Sequence, residues 1–489
     1  WVRIVLNLLG TSIEFDRANG LASMAGPTRY FLYRYMSDEE FYTRPSTVAE
    51  YVERYKLNDR VVCRALKELV DGGVLVKEWV KGERLRGRYR YLLKSEFVDN
   101  LADEGVGILC DSLRNLAEHV LTASGQHVGK SGQRWLTPYN RLVLATLLVR
   151  SDPAGAVYGV GASDLKRIAG LSDDGLRSQL SRLMELGFIR SRVSGLTGAH
   201  LFGVSKGAYF LNLSHRDFQG LGGSSLVLIR YDSPPKQTFH HSAAGIYGKA
   251  ASILAAERRS SGPNISPGLA LSIQKDCAKA AKDFEAQFKI RGECGERFNI
   301  HRYFADVPID RFSRYLQMLI NRYASQIVNY CLCGGGWQGN AQEKNLVATI
   351  EQDLWPSSDE LPLFSAVVDA IKWASIQEAF RVWEMLVSSE TIWHMAMSGL
   401  RCAIMPLFDP RLSSGIVTVV LSGSGLQVHE QQGLWEVDML LPRGRVKQER
   451  ERAQSLIIRK GMETDLTNQK AIALGLRSIG KKYPPKKGN

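Results

Sequence analysis

The sequence predicts a mainly α chain with small β-hairpins. Two copies of a unit made of three helices and a hairpin are followed by a mostly helical C-terminal region. Three observations predict this. The stretch Leu57 to Leu93 reads as a helix, a glycine stop and an alternating basic hairpin. The same pattern recurs at a constant offset of 114 positions, Leu57 matching Leu171. Beyond about residue 242 the apolar residues fall mainly at helical spacing.

In the first copy, Arg29 to Met36 is aromatic-rich and is expected as the first helix. Thr47 and Glu50 have the spacing of a capping box, which places a second helix over Val48 to Lys56, burying Val48, Tyr51, Val52 and Tyr55. Asn58 is the expected N-cap of the third helix. There Val62, Ala65, Leu66, Leu69 and Val70 share one face, while Arg60, Cys63, Arg64 and Lys67 lie on the others. Gly72-Gly73 ends the helix, because glycine enters the left-handed C-cap conformation without penalty. Leu75, Lys77, Trp79 and Lys81 begin a strand, Lys81 to Gly87 turns, and Arg88 to Leu92 alternates back. The turn region carries Lys81, Arg84, Arg86 and Arg88.

This arrangement resembles the winged helix-turn-helix DNA-binding domains of the MarR or GntR type. The resemblance implies that the third helix enters the major groove while the hairpin, as a wing, holds the backbone. Arg60, Arg64 and Lys67 would then face the groove, with Asn58 near the phosphates and Lys81, Arg84, Arg86 and Arg88 gripping phosphate or minor groove.

In the second copy, Leu57, Asn58, Val62, Leu66, Leu69, Gly73 and Leu75 match Leu171, Ser172, Leu176, Leu180, Leu183, Gly187 and Ile189. Thr137-Pro138 is a helix-start pair ahead of the apolar run Arg141 to Arg150. Strands are expected over Phe188 to Val193 and His200 to Val204. The copies differ in charge: Lys77 to Lys94 holds seven Lys and Arg against two Glu, whereas the second recognition helix opens on Asp173-Asp174 and its wing carries mainly Arg190 and Arg192. Carboxylates there suit the helix dipole but repel phosphate, so the first copy should carry more backbone affinity. The second would use Arg177, Ser178, Ser181 and Arg182 on DNA, or pack against a partner.

The domain plan is thus a first winged helix over 28–98, a connecting helix and linker over 99–136, a second winged helix over 137–213, a connector over 214–241 and a helical domain with a basic tail over 242–489. Within the last, Ser242 to Arg259, Leu269 to Ile290, Arg311 to Tyr330 and two or three segments of Leu363 to Pro406 read as helices. Its aromatic residues, Trp373, Phe380, Trp383 and Trp393, are expected as core rather than a base-stacking platform. Gly415 to Leu421 and Leu434 to Leu441 are strand-like, and Val446 to Met462 reads as a charged amphipathic helix. The tail Lys481 to Lys487 reads equally as a solvated end or a non-specific DNA hold.

Composition bounds the chemistry. A length of 489 residues, 44% hydrophobic and 23% charged, fits a multidomain globular protein with ample core. The net charge of +13 suits a polyanionic partner, although a merely basic surface would give the same value. Seven unevenly spread cysteines give no disulfide framework, and no signal peptide or membrane-length apolar run is read, so a cytoplasmic, membrane-free setting is expected. Gly129-Lys130-Ser131 fails as a phosphate loop, since Ser124 stands where a glycine is required and the segment follows a helix. Cys331-Leu332-Cys333 lacks a paired knuckle, and His240-His241 reads as a loop, so neither suggests a metal site. No enzyme motif is recognised; no catalytic residue, cofactor or metal is expected. The expected partner is double-stranded DNA, with a homodimer or protein contact through the C-terminal half. The expected role is transcription regulation. Replication initiation at origin repeats and a protein-interaction scaffold are the competing roles.

Overall fold

The computed structural model describes residues 6–9, 13–38, 46–81, 88–103, 111–122, 136–199, 203–213, 215–218, 225–231, 243–260, 265–287, 309–334, 340–354, 361–387, 400–406, 416–422, 434–437 and 456–459. These are mainly helical with a few small sheets. They divide into two compact units, one within Trp1–Ile189 and Leu211–Gly223, the other within Arg190–Phe210 and Ser224–Ile479.

The first unit opens with α1 (Ile13–Ala18) and α2 (Gly26–Met36). Helix α2 is buried almost all round, and its Phe31 and Tyr35 rings meet Tyr51 and Tyr55 at centroid distances of 5.5 to 6.0 Å. Next come α3 (Val48–Tyr55), α4 (Asp59–Asp71), and the hairpin β1 (Leu75–Val80) with β2 (Arg88–Leu93). The connecting segment expected as one helix contains two, α5 (Ser95–Asp103) and α6 (Asp111–Thr122); Leu109 lies outside the described residues, as does the linker 123–135 with Gly129, Lys130 and Ser131. Helix α7 (Pro138–Val149) is buried on every side and packs on α2 and α6. Strand β3 (Ala156–Tyr158), α8 (Ala162–Ala169) and α9 (Asp173–Glu185) complete this run.

Local chemistry repeats at the same offset as the sequence. Thr47 accepts from the Glu50 N–H, and Glu50 accepts from the Thr47 N–H; Gly161 and Asp164 keep the second half of that exchange. Asn58 caps α4 through the Val61 N–H, and Ser172 caps α9 through the Gly175 N–H. Helix α3 ends on Lys56 and α8 on Gly170, both left-handed (φ 53° and 59°). The buried stripes Val62, Leu66, Leu69 and Leu176, Leu180, Leu183 correspond position for position.

Asp16, to which the sequence assigned nothing, is fully buried and pairs with both Arg29 and Arg167. It therefore ties α1 to α2 and to α8, across 151 residues of chain. Arg34 and Arg141 are buried and donate to the open carbonyls at the end of α6, at Leu121, Thr122 and Val120. Helix ends leave such acceptors unfilled, and charged donors are strong partners for them.

In the second unit, β4 (Ile189–Val193) lies beside β7 (Ala208–Leu211), and β5 (Leu196–Ala199) pairs with β6 (Gly203–Ser205). Of the expected partner strand His200 to Val204, residues 200–202 lie outside the described set, while Gly203–Ser205 pairs with β5 and β7 takes the place beside β4. Gly195 and Gly207 make the switch possible, since a Cβ on either would meet main chain at 2.1 and 2.5 Å. Arg190 and Ser191 are buried rather than presented on a wing.

The remaining elements are β8 (Ser225–Tyr231), α10 (Ala243–Ser260), α11 (Pro267–Gln287), α12 (Ile309–Leu332), α13 (Asn340–Asp353), α14 (Leu361–Val387), β9 (Arg401–Met405), β10 (Ile416–Ser422), β11 (Leu434–Val437) and β12 (Leu456–Arg459). Helix α12 is central and packs on α10, α14 and β9. Strand β10 runs antiparallel between β8 and β9. The outer edge of β9 is closed by side chains of α12: Asn329 donates to the Cys402 carbonyl and accepts from its N–H at 2.8 and 2.6 Å, and Ser325 accepts from the Ile404 N–H at 2.8 Å. Four helical residues rise about 6 Å and two strand residues about 6.6 Å, so one helix face can match a strand edge.

Three expectations for this region are corrected. Leu361–Val387 is one helix, and the end of the expected helical stretch, Arg401–Met405, is a strand. A continuous buried apolar run has no period to separate strand from helix. The expected helix Val446 to Met462 contains β12, where Ile457-Ile458 carry the β-branched chains that suit a strand; its other residues lie outside the described set. Third, Trp373 and Trp383 are half-buried and Phe380 is exposed, because the packed stripe of α14 is filled by Val367, Ile371, Ala374 and Val382; Trp393 lies outside the described residues.

Candidate nucleic-acid interface

The site is built on α4 and the β1–β2 hairpin. The buried stripe of α4 turns its opposite side to solvent, and Asn58, Arg60, Cys63, Arg64 and Lys67 are all exposed. The Asn58 Oδ1 is committed to the helix start, 2.8 Å from the Val61 nitrogen. Arg64 lies along the helix on Glu68, its side chain 68% exposed. Glu68 also accepts from the Thr28 hydroxyl at 2.6 Å and the Ala25 N–H at 3.3 Å, joining the start of α2 to α4. Burial pushes the Glu68 carboxyl up, but Thr28, Arg64 and Ala25 together outweigh it and hold the group below its ordinary value. Arg60 and Lys67 have no ion pair among the described residues.

Hairpin register sets Lys77 opposite Tyr91, Trp79 opposite Tyr89, and Val80 opposite Arg88. Tyr35 donates to the Tyr91 carbonyl, anchoring the hairpin to α2. The Tyr91 hydroxyl is pushed up first by burial, then by Tyr89 and by Cys63 of α4. Strand β1 packs directly on α4, so the hairpin stands next to that helix. Lys81 is exposed, and Arg88 reaches Glu50 of α3 at 3.6 Å with both side chains well solvated. An exposed pair of that kind contributes little, so a phosphate can compete for Arg88. Arg84 and Arg86 lie outside the described residues.

The equivalent face of α9 is differently charged. Where α4 has Arg60, Arg64 and Lys67, α9 has Asp174, Ser178 and Ser181. Ser178 and Ser181 are exposed; Arg177 pairs with Asp174 at 3.2 Å, Arg182 with Glu185 at 3.3 Å, and Asp173 with Lys166 at 2.8 Å. The cations expected to reach DNA from this copy are thus matched by neighbouring carboxylates.

Two hairpin residues absent from the sequence-based site stand out. Trp79 is 59% and Tyr89 43% exposed, their rings 4.8 Å apart and edge to face, with the Lys77 ammonium 3.7 Å from the Tyr89 ring centre. The signal was the alternation itself: Lys77 and Trp79 share one strand face, and among the described residues no second layer packs on the two-stranded sheet there.

Among the described residues, no group of three or more His, Cys, Asp or Glu is placed to hold a metal, and no helix is long and apolar enough to cross a membrane. His240, His241 and the basic tail fall outside those residues. Cys333 accepts from the Arg401 guanidinium at 2.9 Å. No family model matches the chain, and neither a curated protein nor a solved structure matches it significantly.

Proposed function

We propose that this chain binds double-stranded DNA through its first helix–turn–helix–hairpin unit, a winged helix-turn-helix, and acts as a sequence-specific transcription regulator. One observation carries the reading. Arg60, Arg64 and Lys67 crowd the solvent side of a well-capped helix, a basic hairpin stands next to it, and the same positions in the second copy are Asp174, Ser178 and Ser181. Arg60, Arg64 and Lys67 would read base edges or phosphate from the major groove, and Lys81 and Arg88, with Arg84 and Arg86, would hold the backbone. The second winged helix, 137–213, would support the first and, through Arg177, Ser178, Ser181 and Arg182, contribute less to affinity. The C-terminal half would provide a homodimer or protein contact.

The reading predicts that Arg60→Ala with Lys67→Ala weakens duplex binding at least tenfold at low salt, whereas Ser178→Ala with Ser181→Ala changes it less than twofold. Fluorescence anisotropy with a random-sequence duplex checks this. Equal effects of both pairs would remove the assignment of the interface to the first copy of the repeat. Absence of binding would leave a protein-interaction scaffold.

A second reading, initiation of replication at origin repeats, is favoured by the uncovered Trp79–Tyr89 pair, which a regulator gripping only closed duplex does not require. A footprint separates the two: protection overlapping a promoter supports regulation, and protection of direct repeats beside an A·T-rich tract supports initiation.

A further inference from the structure

The hairpin offers solvent an aromatic pair that backbone gripping does not use. Its attachment to the unit runs through buried Val74 and Leu75 and through the Tyr35–Tyr91 bond, leaving Trp79 and Tyr89 without a packing duty. Directly opposed in register and packed edge to face, the two rings hold each other in position. Lys77 lies on the same strand face as Trp79 and already rests on Tyr89, and the exposed Lys81 follows directly on the end of the strand. Exposed aromatic faces rimmed by ammonium groups match a ligand that has flat π-faces and phosphates together. Intact duplex keeps its base faces inside the stack, so the ligand must be unpaired.

We propose that Trp79 and Tyr89 form a stacking platform for unpaired nucleotide bases, with Lys77 and Lys81 meeting the adjoining phosphates, so that the protein holds single-stranded or locally opened DNA beside its duplex site. Stacking on an aromatic side chain is tolerant of sequence, because every base has a π-face. This rests on the DNA-binding reading and extends it from closed duplex to melted DNA.

The test uses the full chain and three probes: an oligothymidylate of about 12 nucleotides, an abasic oligomer of the same length, and a duplex of about 20 base pairs. The wild type is expected to bind the oligothymidylate about 5- to 100-fold more tightly than the abasic oligomer. Trp79→Ala should erase that preference, Trp79→Phe should retain most of it, and both should hold the duplex within about twofold of wild type. A preference that survives Trp79→Ala overturns the proposal, as does an equal loss on duplex and single strand. Binding to none of the three probes would overturn the DNA reading itself, an outcome distinct from loss of the base preference alone. Melting curves identical to wild type show that the variants are folded.

Discussion

Individual side chains explain both the stability and the availability of the interface. Arg64 is not idle on α4: it pairs with Glu68, which also holds Thr28 and the Ala25 N–H. Such an exposed i,i+4 pair contributes little to stability, so nucleic acid can displace Glu68 from Arg64 without unfolding the helix. Glu68 keeps its two other donors throughout. A different carboxylate works against the fold at neutral pH. Asp152 closes the turn after α7 by accepting from the Ala154 and Ala156 N–H groups at 2.9 and 2.8 Å, and burial raises its pKa from 3.8 to about 6. A carboxyl raised by folding takes up a proton as the chain folds between these values. Its favourable contribution is present at low pH and is lost as pH rises through about 6. Asp152→Asn keeps the accepting oxygen and removes the charge. Its melting temperature should exceed wild type above pH 6, and the difference should vanish near about pH 4. A constant difference across that range would contradict the assignment.

At the scale of elements, the repeat was legible wherever local rules decide the outcome. Caps at Thr47, Asn58, Thr137 and Ser172, and the apolar stripes of α4 and α9, follow from short-range hydrogen bonding and the helical period. What the sequence hid was decided at a distance. β9 is a strand because β10 pairs along one edge and α12 offers Asn329 and Ser325 to the other, and nothing within Arg401–Met405 announces either. Helix α13 carries only a narrow stripe of Leu346 and Ile350, too little periodicity to read. The exposed pair on the hairpin was visible as alternation, but its exposure depended on the lack of a covering layer among the described residues. The two helix ends at Lys56 and Gly170 give an internal comparison. Both are left-handed, a conformation that costs a side chain roughly 1–2 kcal/mol. Gly170 is fixed for a further reason: a Cβ there would lie 2.5 Å from the Gly26 nitrogen. Lys56→Gly should therefore stabilise the first unit by about 0.5–1 kcal/mol, after the entropy lost by glycine, while Gly170→Ala should destabilise it by more than about 2 kcal/mol. Urea denaturation checks both; a neutral Gly170→Ala would show that α2 and α8 do not meet as described.

Across the whole molecule, the first unit depends on a buried charge that no motif revealed. Asp16 neutralises Arg29 and Arg167, and the three bring together segments far apart in the chain. Burial pulls the Arg29 pKa down, and Asp16 partly restores it, so the pair matters most for what removing it leaves behind. Asp16→Asn takes the carboxylate from buried Arg29 and half-buried Arg167 and is expected to cost about 3–5 kcal/mol, lowering the urea midpoint of the first unit. A change below about 1 kcal/mol would show that the cations escape to water.

The asymmetry between the copies states where a polyanion would sit, and salt dependence measures it most directly. Binding of the full chain to random-sequence duplex, followed over several salt concentrations, should give a steep negative slope of log affinity against log salt. Arg60→Ala with Lys67→Ala should make that slope shallower by about 2, since each phosphate contact contributes about 0.9. A slope near zero in the wild type, or one that the double substitution leaves untouched, would contradict the account.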